Sequence, residues 1–171
     1  MPKVILVDTA DNEIGQMEKL EAHQKGLLHR AISVFILNEN GEMLLQRRAL
    51  EKYHSPGLWT NAACSHPEPG EDSLTAAVRR LKEEMGIETG LKPVFTFTYK
   101  ADFENGLTEY ELDHVFVGKW EGSPTPDPGE VAEWKWIGPK DLILELEMQP
   151  DRFTVWFKLG VERVWEYNKQ K

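Results

Sequence analysis

Residues 72–87 read Asp-Ser-Leu-Thr-Ala-Ala-Val-Arg-Arg-Leu-Lys-Glu-Glu-Met-Gly-Ile, and this stretch carries the signals of one complete amphipathic helix. Asp72 and Ser73 are residue types that begin helices, and Gly86 is the type that ends them. The apolar residues that keep helical spacing between them are Leu74, Ala77, Val78, Leu81 and Met85. The pattern therefore predicts a helix at 73–86 whose last turns carry two carboxylates.

Two charge pairs share faces of this helix. Glu83 follows Arg79 by four residues, and Glu84 follows Arg80 by the same interval, so the side chains of each pair can meet. As surface salt bridges, such pairs contribute only ~0.3–0.5 kcal/mol each. As a functional unit, Glu84 would bind a divalent cation and Arg80 would bind the anion that the cation also touches. The helix alone leaves both interpretations open.

Upstream of the helix, residues 59–67 read Trp-Thr-Asn-Ala-Ala-Cys-Ser-His-Pro and hold the only cysteine of the chain. In an extended segment, side chains two residues apart point to one face, so Cys64 and His66 would enter the same cavity. A lone cysteine is otherwise more often a small buried hydrophobe. Both roles remain open for Cys64.

Further side chains that can bind metals are spread along the chain. Glu109 and Glu111 repeat the two-residue spacing, so one strand face could present both carboxylates. With the imidazoles of His23, His29 and His66 they could form a five-ligand site with room for a sixth group. No HExxH or CxxC motif occurs, and each histidine taken singly is more typical of an ordinary surface or core residue.

Composition disfavours several classes of function. The chain has 171 residues, 40% hydrophobic and 29% charged, which suits one soluble domain with a full core. Its net charge of −9 disfavours nucleic-acid binding, although Arg47, Arg48 and Lys52 could still clamp a phosphate. The absence of Gly-x-Gly and Walker-type loops disfavours dinucleotide and nucleoside-triphosphate chemistry. With one cysteine, no signal peptide and no apolar span of ~20 residues, we expect a cytoplasmic protein without membrane association.

The remaining pattern mixes strands and helices irregularly. The predicted strands are 4–7, 31–37, 43–46, 94–100, 110–120 and 133–137, and the further predicted helices are 17–24, 139–148 and 152–168. Residues 31–46 read as a hairpin, and the proline-rich stretch 122–129 reads as a rigid loop. Because strands and helices do not alternate strictly, a mixed-sheet α/β sandwich is favoured over a doubly wound fold.

Together these motifs resemble the type I isopentenyl-diphosphate delta-isomerases, which are metal-dependent members of the Nudix superfamily. The segments that carry the resemblance are 46–50, 57–61, 64–67, 79–86 and 109–111. The resemblance extends over residues 19–156, and its most specific part is Trp-Thr-Asn combined with Cys-x-His-Pro. Ser65 stands where the usual Nudix box has glycine, and Arg80 stands where it has glutamate. These departures favour an isomerase over a pyrophosphohydrolase.

The resemblance implies a fold and a reaction. Residues 1–171 would form one Nudix-like α/β/α sandwich domain, with residues 1–29 contributing metal ligands. The reaction would be metal-dependent isomerisation of isopentenyl diphosphate to dimethylallyl diphosphate, by protonation and deprotonation, in isoprenoid precursor synthesis. The partner would be this small-molecule diphosphate, without nucleic acid or membrane, and the protein would be a monomer or a homodimer.

The resemblance also assigns roles to individual residues. The metal ligands would be His23, His29, His66, Glu109 and Glu111, and the ion could be Mg²⁺, Mn²⁺ or Zn²⁺. The side chains that bind the diphosphate oxygens would be Lys19, Arg48, Lys52 and Arg80. A second ion, Mg²⁺ at Glu84, would bridge to the diphosphate. Cys64 and Glu111 would form the acid/base pair with Tyr99 assisting at the glutamate, and Trp156 would lie over the hydrocarbon end.

Two other interpretations compete with the isomerase. A Nudix hydrolase would cleave a diphosphate linkage with Glu83, Glu84 and a metal-bound water, but Arg80 in place of the expected acid counts against it. A catalytically silent domain could keep the fold for metal binding or protein interaction, and it would need no reactive thiol. Nothing in the sequence resembles the flavin site of the unrelated flavin-dependent isomerases.

Overall fold

The computed structural model describes residues 2–52 and 54–169. The strands in these residues are β1 (Lys3–Val7), β2 (Glu13–Glu18), β3 (His29–Leu37), β4 (Met43–Arg48), β5 (Trp59–Thr60), β6 (Ala63–Ser65), β7 (Leu91–Asp102), β8 (Thr108–Lys119) and β9 (Val131–Ile137). The helices are α1 (Lys19–Lys25), α2 (Ser73–Met85), α3 (Pro139–Met148) and α4 (Val155–Lys169), and a 3₁₀ turn, Pro150–Arg152, precedes α4. Within the described ranges, no helix combines the length and apolar character that crossing a membrane requires.

Strand β3 is the centre of the sheet because it pairs with strands on both sides. It runs parallel to β8 over its whole length, with His29 opposite Glu111 and Leu37 opposite Lys119. On the other side it is antiparallel to β6 at residues 32–34 and to β1 near its start. Strand β7 extends the sheet beyond β8, and β4 pairs with β5 and β9. The mixed sheet predicted from the sequence is confirmed.

The side chains of β3 alternate between two hydrophobic cores, one on each face of the sheet. Ile32, Val34 and Ile36 pack in the core that α2 covers. Phe35 and Leu37 pack in the core that α3 and α4 cover. Because helices cover both faces, the architecture is the predicted α/β/α sandwich.

Helix α2 begins and ends where the sequence predicts. The side chain of Asp72 accepts a hydrogen bond from a backbone N–H of the first turn, and Gly86 ends the helix with a φ of 67°. Leu74 and Val78 keep helical spacing but are exposed, because the helix packs on the sheet through a narrower stripe. That stripe includes the carboxylate of Glu84, which is only 3% exposed.

The starts of two helices differ from the sequence predictions. Strand β2 occupies residues 13–18, so α1 begins at Lys19 and not at 17. The residues of β2 lie at the sheet edge and are mostly exposed, so they lack the apolar alternation that marks a strand. The last helix begins at Val155 and not at 152, because Phe153 is extended and pairs with Trp59.

Replacing Gly86 with alanine should lower the free energy of unfolding by about 1–3 kcal/mol, because a side chain there is strained and crowded. The new Cβ would lie 2.8 Å from the carbonyl oxygen of Thr125, at a φ of +67°. Urea denaturation measures the loss. Gly90→Ala is the matched control, since a Cβ at Gly90 meets nothing within 4 Å. Equal stability of the two variants would contradict the prediction.

Candidate functional site

Three imidazoles surround one carboxylate at the start of β3. His23 comes from α1, His29 is the first residue of β3, His66 follows β6, and Glu111 lies on β8. Their ligand atoms lie within 4.8 Å of one another. The three Nε2 atoms approach the same oxygen, Oε2 of Glu111, at 3.6 Å for His23, 3.0 Å for His29 and 2.8 Å for His66. The structure thus brings together four of the five residues predicted to bind the metal.

The orientation of two of these imidazoles suits a metal site. Nδ1 of His23 donates to the carbonyl of Lys19 at 2.7 Å, and Nδ1 of His29 donates to the carbonyl of Leu27 at 2.9 Å. In the neutral rings, the lone pairs of both Nε2 atoms are therefore directed at the carboxylate of Glu111. Nitrogen atoms facing an anion in this way are stabilised by a positive charge between them, either a proton or a metal ion, and a set of imidazoles with a carboxylate suits divalent metals. These residues fit a divalent metal ion.

Two opposing effects set the pKa values in the cluster. Burial favours the neutral form of each group, and the attraction between the imidazoles and the carboxylate favours the charged forms. Burial lowers the pKa of His66 to about 3. At His29 burial acts in the same direction, but the interactions with Glu111 outweigh it and raise the pKa. Burial of Glu111 is outweighed by His66, His23 and His29, which hold the pKa of the carboxylate well below its usual range. Glu111 is therefore ionised at neutral pH, as a metal ligand has to be.

Glu109, the fifth residue predicted to bind the metal, lies beside the cluster and contacts other groups. Its Oε2 is 2.7 Å from Nε2 of His54, and its Oε1 lies 3.2 Å from the hydroxyl oxygen of Tyr99. Burial and the neighbouring Glu111 raise the pKa of Glu109 to about 8. Its role as a metal ligand stays a prediction.

A cavity that opens to solvent lies next to the cluster. Cys64 and His66 both line it, as expected for an extended segment. The cationic side chains that line it are Lys19, Arg48, Lys52 and Arg80, the four predicted to bind a diphosphate. Glu111 and Trp156 line the same cavity, and Tyr99 supports Glu111 by donating a 2.7 Å hydrogen bond to its Oε1.

Arg48 connects the thiol with the indole in this cavity. Its Nη1 lies 3.6 Å from the sulfur of Cys64, and its guanidinium carbon lies 5.3 Å from the ring centroid of Trp156. Burial raises the pKa of Cys64 to about 12, although Arg48 acts in the opposite direction. The thiol therefore keeps its proton at neutral pH.

Trp156 is positioned by the contact between the start of α4 and β5. Phe153 pairs with Trp59 as an isolated bridge, and the hydroxyl of Thr154 lies 2.9 Å from that of Thr60. Both hydroxyls are fully buried. These contacts fix the first turn of α4 beside the segment that leads to Cys64.

Glu84 lies behind Arg80 and is not among the residues that line the cavity. Its Oε1 accepts a hydrogen bond of 3.0 Å from Gln46, and its Oε2 accepts one of 3.2 Å from Arg80. Burial raises its pKa although Arg80 opposes the change. The second predicted pair also forms, with 3.0 Å between Arg79 and Glu83. The proposal that Glu84 binds Mg²⁺ stays a prediction.

Sequence reasoning misses three residues of this region, which are His54, Asp113 and Glu130. Asp113 continues the two-residue spacing of Glu109 and Glu111 along β8, so strand alternation could have identified it. Its burial raises its pKa well above the usual range. His54 and Glu130 reach the region from loops, and no spacing in the sequence could have indicated them.

Comparison with known proteins identifies the family. A family model described as the NUDIX domain matches residues 27–157. The isopentenyl-diphosphate delta-isomerase of Burkholderia multivorans is 50% identical over 161 residues, which are 94% of this chain and 92% of that protein. That of Pectobacterium atrosepticum is 48% identical over 167 residues, covering 98% and 93%. The chain belongs to the Nudix family of isopentenyl-diphosphate delta-isomerases.

Solved structures show the same fold at lower identity. A protein from Deinococcus radiodurans superposes with a TM-score of 0.72 at 19% identity, over 86% of this chain and 90% of that one. The MutT protein of Methanosarcina mazei superposes with a TM-score of 0.65 at 23% identity, over 83% and 96%. The Nudix-like α/β/α sandwich predicted from the sequence is therefore confirmed.

Substituting His66 with alanine should weaken the binding of Mn²⁺ or Zn²⁺ by more than about tenfold. Even the loss of a residue that only hydrogen-bonds to a metal ligand lowers metal affinity by about tenfold or more, and the loss of a ligand should lower it further. Isothermal titration of metal-stripped protein measures the affinity. His114→Gln is the matched control, because His114 lies outside the cluster and a glutamine can still donate a hydrogen bond to Asp11, which His114 contacts at 2.8 Å. Similar affinities of the two variants would show that the cluster does not bind the ion.

Proposed function

We propose that the protein isomerises isopentenyl diphosphate to dimethylallyl diphosphate, in a metal-dependent reaction that supplies isoprenoid precursors. The observation that carries the proposal is one cavity lined by a thiol, three acidic side chains that include Glu111, an indole and four cationic side chains. Relatives named isopentenyl-diphosphate delta-isomerase, at 47–50% identity over most of the chain, support the same substrate.

The reaction moves a C=C bond by adding one proton and removing another. Protonation of the terminal methylene carbon creates a methyl group and a tertiary carbocation. Loss of a proton from the adjacent CH₂ then forms the allylic double bond, so the proton balance is zero. An alkene is a very weak base, so a proton donor has to be held close to it.

Cys64 and Glu111 are the proposed acid/base pair. Cys64 lies on β6 and Glu111 on β8, the two strands that flank β3, and both side chains line the cavity. One member of the pair adds the first proton and the other removes the second. Exchange with solvent then restores the starting protonation of both groups.

The two oxygens of Glu111 have separate surroundings. Oε2 faces the imidazoles, and Oε1 accepts the hydrogen bond from Tyr99. Burial, followed by the nearby Glu109 and Glu111, raises the pKa of Tyr99 well above its usual value, so its hydroxyl remains a donor. Divalent ions held by the His/Glu cluster and by Glu84 would supply Lewis acidity and positive charge. The hydroxyl proton of Tyr99 is thus directed at Oε1 of Glu111, the oxygen that the imidazoles do not approach.

Trp156 is proposed to stabilise the carbocation. An indole face contributes roughly 0.5–2 kcal/mol to a nearby cation, and more when water is excluded. Only 4% of Trp156 is exposed, so the ring lines the cavity without facing bulk solvent. Exclusion of water also protects the cation from capture as an alcohol.

The four cations are proposed to bind the diphosphate group. They provide a local positive region on a chain whose net charge is −9. Binding energy from the diphosphate is remote from the reacting carbons, so it can be used to orient the alkene between the acid and the base. Burial lowers the pKa of Lys19, and the nearby Lys52 and Arg48 act in the same direction.

Proton and phosphorus NMR in D₂O would test the proposed function. The protein is incubated with isopentenyl diphosphate and a divalent metal, Mg²⁺, Mn²⁺ or Zn²⁺. Formation of deuterated dimethylallyl diphosphate with an intact diphosphate supports isomerisation. Release of phosphate or of the monophosphate would instead establish a Nudix hydrolase, and no reaction with any metal would favour a silent domain.

Cys64→Ala should lower kcat by at least about 10³-fold, because removing a general acid or base typically costs 10²–10⁴-fold. The same NMR assay measures the rate, and circular dichroism checks that the variant is folded. Near-normal turnover in a folded variant would exclude Cys64 from the acid/base pair.

Trp156→Leu should lower kcat by about tenfold or more while changing KM little, because the cation exists only after protonation. Trp165→Leu is a control on the same helix, since Trp165 packs against the core that α3 and α4 cover and does not line the cavity. A large rise in KM with unchanged kcat would assign Trp156 to ground-state binding instead.

A further inference from the structure

Two of the four cavity cations contact the same carboxylate. Nζ of Lys52 forms an ion pair with Oε2 of Glu130, and Nη2 of Arg80 lies 3.5 Å from Oε1. The backbone of Glu130 is fixed beside them, because its carbonyl accepts a 3.0 Å hydrogen bond from the N–H of Ala49 and its N–H donates to the carbonyl of Asp127 at 2.9 Å. One carboxylate therefore bridges two side chains that a diphosphate would need.

Arg80 has few donors left for a phosphate. Its Nε and Nη2 contact Oε2 of Glu84 at 3.2 and 3.1 Å, and its Nη1 contacts Glu83 at 3.0 Å. With Glu130 added, these contacts involve every nitrogen of a guanidinium that has five N–H donors. A substrate can form a two-point contact with Arg80 only if one of the carboxylates withdraws.

Glu130 is the carboxylate best placed to withdraw. Glu84 is only 3% exposed and is held by Gln46 as well as by Arg80. Glu83 has a side chain that is 48% exposed, and its withdrawal would leave Lys52 still paired. The side chain of Glu130 is 25% exposed, and its withdrawal releases Lys52 and one N–H of Arg80 together.

We propose that Glu130 is an internal counter-ion of the anion pocket, which pairs with Lys52 and Arg80 in the free protein and is displaced by the diphosphate. The proposal rests on the proposed function for the identity of the anion. Glu130 keeps the two cations extended toward the pocket and prevents their mutual repulsion. It also competes with every incoming anion. Only a polyanion that contacts both Lys52 and Arg80 can replace the two ion pairs that are lost when Glu130 withdraws.

Titration calorimetry with inorganic pyrophosphate, in buffer that contains EDTA, tests this proposal without requiring catalysis. Glu130→Gln should bind pyrophosphate roughly fivefold or more tightly than the wild type, because a competing negative charge is removed. Glu133→Gln is the matched control, with the same change of charge three residues away. Glu133 pairs with Arg47 at 2.9 Å, and neither residue lines the cavity, so its affinity should stay within about twofold of wild type.

A second variant and a stability measurement separate the outcomes. Glu130→Asp keeps the charge but is one methylene shorter, so its affinity should lie between those of wild type and Glu130→Gln. Thermal melts verify folding and should show a larger pyrophosphate-induced rise in Tm for Glu130→Gln than for Glu133→Gln. Unchanged or weaker binding by Glu130→Gln would overturn the counter-ion role, as would a wild type and variants that all fail to bind pyrophosphate.

The NMR assay of the wild type decides the proposed function separately. Isomerisation by wild type together with equal pyrophosphate affinities of the two glutamine variants would overturn the inference about Glu130 alone. Tighter binding by Glu130→Gln in a protein that does not isomerise would leave the counter-ion in place and remove the isomerase assignment.

Discussion

Strand β3 runs parallel to β8 with His29 opposite Glu111, and the geometry of the cavity depends on that register. A shift by one residue would turn every side chain of β8 to the other face of the sheet and remove Glu111 from the imidazoles. On its other side, β3 places Ser33 opposite Cys64. One strand, buried on both faces, therefore fixes the thiol and the carboxylate relative to each other. The alternation of its apolar side chains between two cores is what holds the register.

Several charged groups are buried in and around the cavity, and burying them costs free energy of hydration. Buried ions are tolerated only where partners compensate their loss of hydration. Here the compensation is local, with imidazoles around Glu111, Arg80 and Gln46 on Glu84, and Arg48 between a thiol and an indole. The opposite pKa shifts of Glu109 and Glu111, two residues apart on one strand, show that neighbouring charges and not burial alone decide which carboxylate is ionised.

Much of this arrangement is readable from local sequence, and the rest is not. Helix α2 could be predicted because Asp72, Gly86 and the apolar spacing are signals within one element. Strand β2 could not, because an exposed edge strand carries no apolar pattern. Residue types alone offered the meeting of these imidazoles and carboxylates as one open possibility, and the family resemblance was needed to assign it, since His23, His29, His66 and Glu111 come from four separate segments. His54 and Glu130 join the region through chain packing that no motif records.

Residues 2–28 are attached to the rest of the sheet by few main-chain contacts. Among the described residues, the ladder between β1 and β3 consists of Leu6 opposite His29, with one further hydrogen bond from Val7 to Leu28. Side chains supply the remaining attachment, through the apolar contact of Ile5 and Val7 with Leu112 and through Arg30 and His114, which both contact Asp11. A segment attached in this way opens at lower free energy than the strands that form the two cores. Because His23 belongs to that segment, each such opening dismantles the imidazole cluster while leaving the rest of the sandwich folded. The fraction of molecules in which all three imidazoles are in place is therefore set by the local stability of this segment. Native-state hydrogen exchange of its amide protons would measure that stability.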